Sequence, residues 1–347
     1  MKKKIALISG ITGQDGSLLA KLLIEKNYVV HGIKRRSSSL HSTVRLNSIY
    51  QEKFIKNKSL YLHYGDIYDA AFCCRIVNET KPNEIYHLAA QSHVAISFEL
   101  PHYTASVNSL GTLNLLEAIR INNLEKKTKF YNAASSEMYG SLIGSAQNEK
   151  TSFCPQSPYA TSKLFSYWIT KNYRESYKIF ASNGILFNHE SHSRGETFVT
   201  KKITMFVAQY NKLKKGILYL GNFSAKRDWG YAGDYVEGMW KIIQHSEAND
   251  FVLATGRSYS VRDFLREAFR CININIIFKG KGLKEVGIDS KTKKIIVKSI
   301  SHYYRPNEVT NLIGDYSKAR KLLKWKPKTN FKQLVKLMVD SDIKECC

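Results

Sequence analysis

The chain has no apolar run long enough to span a bilayer, no C-x-x-C pair, no arginine-rich block and few acids. Its six cysteines stand at 73, 74, 154, 271, 346 and 347. That scatter fits reduced thiols in a cytosolic protein better than a disulfide framework. Cys346-Cys347 is not a prenylation box, which needs a cysteine four from the end, where Lys344 stands. His189-Glu190-Ser191-His192 falls one residue short of the H-E-x-x-H zinc spacing, so no metal is expected. Met1-Lys2-Lys3-Lys4 followed by Ile5-Ala6-Leu7-Ile8 lacks an A-x-A-like cleavage site. It reads as a first strand and not as a signal peptide, and a cytoplasmic location without membrane partners is expected. Acids number 29 against 53 Lys and Arg, a formal net charge of +24. The cations are spread along the chain, are mostly lysine and lack an aromatic RNA-binding signature, so no nucleic-acid partner is expected. The surplus suits anionic ligands such as nucleotides.

What is present begins at Ser9-Gly10-Ile11-Thr12-Gly13-Gln14-Asp15-Gly16. This run follows a buried strand pattern and precedes Ser17-Leu18-Leu19-Ala20-Lys21-Leu22-Leu23, whose apolar residues recur at helical spacing. Glycines at a strand-to-helix turn let backbone approach a pyrophosphate, and the helix start offers free N–H groups to it. Strand patterns at 28–33, 60–64, 84–88, 129–134 and 179–187 alternate with helical ones at 70–79, 112–120 and 162–177. The expected fold is α/β, a Rossmann-like doubly wound parallel sheet with a smaller α/β substrate-binding domain. The expected division is 1–187 for the dinucleotide and 188–347 mainly for substrate, with some segments packing back on the first domain. Ligands in such sheets sit beyond the carboxyl ends of the strands.

The second strand pattern ends in Lys34-Arg35-Arg36-Ser37-Ser38, where an NAD site would carry an acid. Two arginines with serines suit a 2′-phosphate through forked, charge-assisted hydrogen bonds, so NADP is the expected cofactor. Asp66 is placed to bond the adenine, and Leu88-Ala89-Ala90 offers small residues where the cofactor passes close.

Tyr159 and Lys163 stand four apart and share a helix face. A lysine one turn after a tyrosine is expected to lower the phenol pKa from its usual value of about 10. Tyr167/Lys171 and Tyr210/Lys214 match the same spacing. Two features single out the first pair: Pro158 opens a helix just before it, and Ser135-Ser136-Glu137 closes a strand upstream.

Together these residues resemble the extended short-chain dehydrogenase/reductase superfamily and, within it, the GDP-mannose 4,6-dehydratase family. The narrower resemblance is carried by Gly10-Ile11-Thr12-Gly13-Gln14-Asp15-Gly16-Ser17, Lys34-Arg35-Arg36-Ser37-Ser38, Ser136-Glu137-Met138-Tyr139-Gly140 and Phe187-Asn188-His189-Glu190-Ser191. It continues in Arg194-Gly195-Glu196-Thr197-Phe198-Val199-Thr200, Lys226-Arg227-Asp228-Trp229-Gly230 and Arg305-Pro306-Asn307-Glu308-Val309. The resemblance implies that Tyr159 takes the C4-hydroxyl proton of a GDP-sugar as hydride leaves. Glu137 then removes the C5 proton and protonates the departing C6 hydroxyl, and the hydride returns to C6. Ser135 bonds the C4 oxygen, and Lys163 holds ribose. It further implies cofactor contacts at Gly10, Thr12, Gly13, Gln14, Asp15, Gly16, Ile67 and His189, and sugar-nucleotide contacts at Ser92, Asn188, Arg194, Lys202, Arg227, Arg305 and Glu308. It also implies a homodimer or homotetramer in which the basic loop 35–45 reaches a neighbouring cofactor.

The chain departs from the family pattern at Leu18, at Ser191-His192-Ser193, and at Tyr231 and Gly233. Two long cationic side chains are thereby replaced by small ones, which either enlarges the sugar site or alters an oligomer contact. A GDP-manno-heptose substrate is expected slightly ahead of GDP-mannose. A nucleotide-sugar epimerase or reductase and a catalytically silent NADP-binding sensor are the other readings. Glu137 argues against the first, and retention of Ser135, Tyr159 and Lys163 against the second.

Overall fold

A computed structural model describes residues 3–36, 43–47, 59–141, 146–304, 307, 309 and 311–346. The first half alternates strand and helix: β1 Ile5–Ser9, α1 Gln14–Glu25, β2 Val29–Lys34, β3 Leu60–Tyr64, α2 Ala70–Thr80, β4 Glu84–His87. It continues α3 Val94–Glu99, α4 Pro101–Ala105, α5 Gly111–Ile121, β5 Lys129–Ser135, α6 Pro158–Ser176 and β6 Ala181–Leu186. The later chain adds β7 His189–Glu190, α7 Val199–Leu213, β8 Leu218–Leu220, β9 Lys226–Arg227, β10 Gly230–Tyr231 and α8 Ala232–Gln244. It ends in β11 Phe251–Leu253, β12 Tyr259–Ser260, α9 Val261–Arg270, β13 Ile276–Lys279, β14 Val286–Asp289, β15 Ile295–Ser299, α10 Ser317–Leu323 and α11 Phe331–Cys346.

Seven strands form one parallel sheet in the order β11-β6-β5-β4-β1-β2-β3. Side chains alternate across it, as the two-residue period of a strand requires. Ala6 and Ile8 pack with Leu19 and Leu23 of α1 and Met239 and Ile242 of α8 on one face. Leu7, Ile85 and Phe130 pack with Ile76 of α2 and Leu115 and Ile119 of α5 on the other. Both faces are covered, so the strands are largely buried, with polar residues such as Ser9, Glu84, His87, Asn132 and Asn183 buried among the apolar ones.

The chain leaves this layer after β6, but α8, β11 and α10 return to it. Trp325, just past α10, joins the same core as α1. A second core gathers Ile203 and Val207 of α7, Phe264 and Phe269 of α9 and Leu334 and Met338 of α11. The lysine-rich stretch 279–298 falls in a small sheet, β13-β14-β15-β8. No helix among the described residues is long and apolar enough to cross a membrane.

Candidate active site

The carboxyl ends of β1, β2, β4, β5 and β6 open onto a cavity of about 890 Å³ between the two cores. One wall is the glycine turn. Gly10 has φ +75° and Gly13 N–H donates to its carbonyl at 3.0 Å. A Cβ on Gly10 would lie 2.8 Å from Ala89 Cα, and one on Gly16 would lie 2.2 Å from the Gly10 carbonyl. The N-terminus of α1 has no side-chain cap, leaving its first amides free for an anion. This side-chain-free cradle fits a dinucleotide pyrophosphate. Lys34 and Arg35 line the same cavity at the end of β2, where they fit a 2′-phosphate. Arg35 hydrogen-bonds Tyr103 of α4.

Of the residues singled out from sequence, the cavity is lined by Gly10, Thr12, Gly13, Gln14, Asp15, Gly16, Arg35, Asp66, Ile67, Leu88, Ala89, Ala90 and Ser92. It is also lined by Ser135, Glu137, Tyr159, Lys163, Asn188, His189, Arg194, Lys202 and Arg227. Arg36 does not line it. That side chain turns to the exposed Tyr64 on β3, whose phenol Lys34 and Arg36 hold below its ordinary value. Ser37, Ser38, Arg305 and Glu308 lie outside the described residues. Arg45, expected only as part of the loop 35–45, lines this cavity, with its Nε donating to the Ser193 carbonyl at 2.6 Å; sequence reasoning gave no role to Glu190 and Thr200, hydrogen-bonded to each other at 2.8 Å. No local spacing marks those residues; only the fold brings them together.

Ser135 caps the turn after β5, accepting Glu137 N–H at 3.2 Å. This holds Glu137 at the cavity, nearly buried, with Arg227 Nε 3.7 Å from its Oε1. Arg227 is itself fixed by a 2.8 Å bond to the Val309 carbonyl. Pro158 opens α6 and Ser157 caps it, which sets Tyr159 and Lys163 one turn apart facing β5. The expected lowering of the Tyr159 pKa is not found. Burial pushes the phenol up to about 12, outweighing a hydrogen bond to Ser135, and the Glu137 carboxylate adds to the rise. Lys163 instead donates to the Ala133 carbonyl at 2.9 Å, and burial pulls its ammonium down to about 8. The two other Tyr-x-x-x-Lys pairs have structural partners: Tyr167 donates to Asp250, and Tyr210 packs in the second core.

A seam of polar bonds joins the glycine turn to the segment after β6. His189 Nε2 donates to Asp15 Oδ2 at 2.7 Å while Nδ1 donates to the Phe187 carbonyl at 2.7 Å. Burial alone would neutralise His189, but the Asp15 carboxylate overrides it and raises the imidazole above its ordinary value. Asp15 is correspondingly lowered against the effect of its own burial. Gln14 donates to the His189 carbonyl at 3.1 Å and accepts from Ser191 at 2.9 Å. Beyond the seam, Arg194 pairs with Glu190 at 2.9 Å and stacks over Phe198. Asn188 Oδ1 is buried with no hydrogen-bond partner among the described residues, an acceptor aimed at a ligand's donor.

Residues 7–338 match the sequence profile described as GDP-mannose 4,6 dehydratase. This chain belongs to the GDP-mannose 4,6-dehydratase family. It is 52% identical over 341 residues to the GDP-mannose 4,6-dehydratase of Sinorhizobium fredii, covering 98% of this chain and 97% of that one. It is 52% identical over 344 residues to GDP-mannose 4,6 dehydratase 2 of Caenorhabditis elegans, covering 99% and 90%. Its fold is similar to that of the UDP-glucose 4-epimerase of Thermotoga maritima (TM-score 0.81, 23% identity, 99% and 100% covered). It is also similar to a dTDP-glucose 4,6-dehydratase of Bacillus anthracis in complex with NAD (TM-score 0.78, 18% identity, 98% and 97% covered).

The departures from the family pattern lie outside the cavity lining. Leu18 packs against the first core, Tyr231 against the second, and neither they nor Ser193 and Gly233 line the cavity. A Cβ on Gly233 would lie 2.3 Å from the Tyr231 ring, so the glycine accommodates that tyrosine.

Proposed function

We propose that the protein is an NADP-dependent GDP-sugar 4,6-dehydratase that converts a GDP-manno sugar to its 4-keto-6-deoxy product. The observation that carries this is Glu137: a carboxylate in the same cavity as Ser135, Tyr159 and Lys163, close enough to raise the Tyr159 pKa. Proton removal beside a ketone and expulsion of a β-hydroxyl both need such a group. Simple alcohol oxidation or 4-epimerisation does not.

The residues divide the work. Ser135 donates to the C4 oxygen, and Tyr159 accepts the C4-hydroxyl proton. NADP⁺ held by the glycine turn and by Lys34 and Arg35 would supply reversible hydride chemistry, taking hydride from C4 and giving it back at C6. Glu137 takes the C5 proton once C4 is a ketone and hands a proton to the departing C6 hydroxyl, releasing water. A proton delivered to C5 completes the product without net redox change. Asn188, Arg194, Lys202 and Arg227 hold the nucleoside diphosphate, with the arginines on its phosphates. Lys34 and Arg35, with no acid at the end of β2, support NADP over NAD.

GDP-mannose is the favoured sugar, because the matching family profile and the relatives at about half identity carry that name. A competition assay tests this: a higher kcat/KM for GDP-manno-heptose would restore the larger sugar. An exposed Phe165–Trp168 stripe on α6 supports a homo-oligomer, which light scattering of the purified protein checks.

A further inference from the structure

Behind the cavity wall runs a file of polar side chains to which the dehydration chemistry gives no role. Ser9 at the end of β1, His87 at the end of β4 and Thr112 in α5 are all buried. His87 Nδ1 lies 2.8 Å from Ser9 Oγ, and Nε2 lies 3.0 Å from Thr112 Oγ1. Counting donors fixes every proton. Ser9 Oγ accepts the backbone N–H of Leu88 at 3.2 Å and of Ala89 at 3.3 Å. Its single proton therefore goes to His87 Nδ1, and the ring proton sits on Nε2, donated to Thr112. Thr112 passes its own proton to the Asn108 carbonyl at 2.8 Å. Each side-chain donor is used once, the Leu88 N–H being shared with the Ser9 carbonyl at 3.2 Å, and a second ring proton would face an oxygen already donating toward it.

Asn108 lies in a π-helical turn, Ser106–Leu110, between α4 and α5. Its side chain exchanges bonds with the Gln91 backbone at 2.8 and 3.1 Å and donates to Ser162 Oγ at 3.0 Å. Ser162 in turn donates to the Tyr159 carbonyl at 2.7 Å. The file thus runs without a break from the 88–89 backbone to the helical turn that carries Tyr159 and Lys163. Its cavity end presses against Gly10, whose α-carbon leaves no room for a side chain beside Ala89. Burial and the nearby Lys163 ammonium push His87 down to about 3, in keeping with a ring that never charges.

We infer that His87, locked as the Nε2–H tautomer between Ser9 and Thr112, is a positioning residue that keeps the 88–90 wall in register with Gly10 and with the Tyr159–Lys163 turn. The inference rests on reading the cavity as the NADP site. His87→Phe keeps a ring and removes both bonds. It is expected to raise the NADPH Kd about tenfold, the size of one lost buried hydrogen bond, and to lower kcat. His87→Asn, which restores an acceptor toward Ser9, is expected to recover the affinity to within about threefold. Ser9→Ala costs affinity in the native background and adds nothing to His87→Phe, because the two act through one file. Nitrogen NMR of the cofactor-free protein shows the Nε2–H tautomer unchanged from pH 5 to 9. The inference is overturned by an unchanged NADPH Kd and kcat in folded His87→Phe whatever its Tm, by additive effects of the two substitutions, or by a ring that titrates near neutrality. If His87→Phe does not fold, Thr112→Val is read in its place, with the same direction expected and an unchanged Kd contradicting. NADPH binding needs no sugar. A protein that binds NADPH and fails to turn over GDP-mannose therefore refutes the sugar assignment alone, whereas one that binds no nicotinamide dinucleotide refutes both.

Discussion

The two walls of the cavity are made of different materials. The cofactor-side wall is backbone and small side chains: the 88–90 turn leaves Gly10 no space for a Cβ, and the 10–16 turn folds back on itself so tightly that Gly16 has none either. The sugar-side wall is long charged side chains brought from the ends of β5 and β6, the 188–202 segment and β9, each braced by a partner. Arg194 leans on Glu190 and Phe198, and Arg227 on the Val309 carbonyl and Glu137. Shape on the first wall is continuous with the fold, whereas charge on the second is added to it. Damage to the first should unsettle folding and cofactor binding together, and damage to the second should remove chemistry while leaving the fold intact.

Four substitutions sharpen or break that contrast. Glu137→Gln keeps volume and removes the base. Its dehydration kcat should fall about 10²- to 10⁴-fold with NADPH affinity and Tm unchanged; steady-state assays and thermal melts check this, and a large Tm loss would erase the contrast. Gly16→Ala drives a methyl against the Gly10 carbonyl and should cost about 1–3 kcal/mol of stability or more, with NADPH affinity falling alongside, as denaturant melts and fluorescence titration would report. Arg227→Met should raise the KM for GDP-mannose roughly 10- to 100-fold, the worth of a lost charged hydrogen bond, with a smaller change in NADPH Kd.

Asp15→Asn has the smallest expected effect and tests the seam between the walls. His189 is raised in the folded protein. Its contribution is therefore present below the ordinary imidazole value and is lost as pH rises through the raised one. Asp15 is lowered, so its share is lost only in acid, as pH falls through its depressed value. Removing the carboxylate leaves only the Phe187 carbonyl to oppose burial and the Arg194 charge, so His189 in the variant should titrate below its native value. The alkaline stability loss of the native protein should disappear. Proton NMR of the imidazole and melts between pH 6 and 9 decide it. An unshifted His189 would mean that Asp15 does not hold it charged.

The same contrast explains what could be read in the chain. The glycine turn was legible because its function and its local structure coincide: strand, tight turn and helix start occupy one short segment. The parallel sheet was legible through alternation up to β6. The return of β11 was not, because three residues, 251–253, pair with 184–186 from a distant place in the chain. Tyr159 was separable from Tyr167 and Tyr210 only through Pro158 and Ser135. Its pKa was not legible at all, because burial, a tertiary property, outweighs the spacing to Lys163. The separate directions of Arg35, toward Tyr103, and Arg36, toward Tyr64, were not legible, because neighbouring side chains at a strand end diverge. The surroundings of Gly233 were not legible for a similar reason: sequence gives the loss of a side chain and not the Tyr231 ring that lies beside it.

The most direct test of the central claim, that Glu137 turns an alcohol-oxidising site into a dehydratase, is mass spectrometry of GDP-mannose incubated with the protein and NADP⁺ in heavy water. Native protein should yield a product that has lost one water and carries deuterium at C5, with no net reduction of cofactor, and Glu137→Gln should yield none of it. A product of unchanged mass inverted at C4, net accumulation of NADPH, or full dehydration by the Glu137→Gln variant would contradict the assignment.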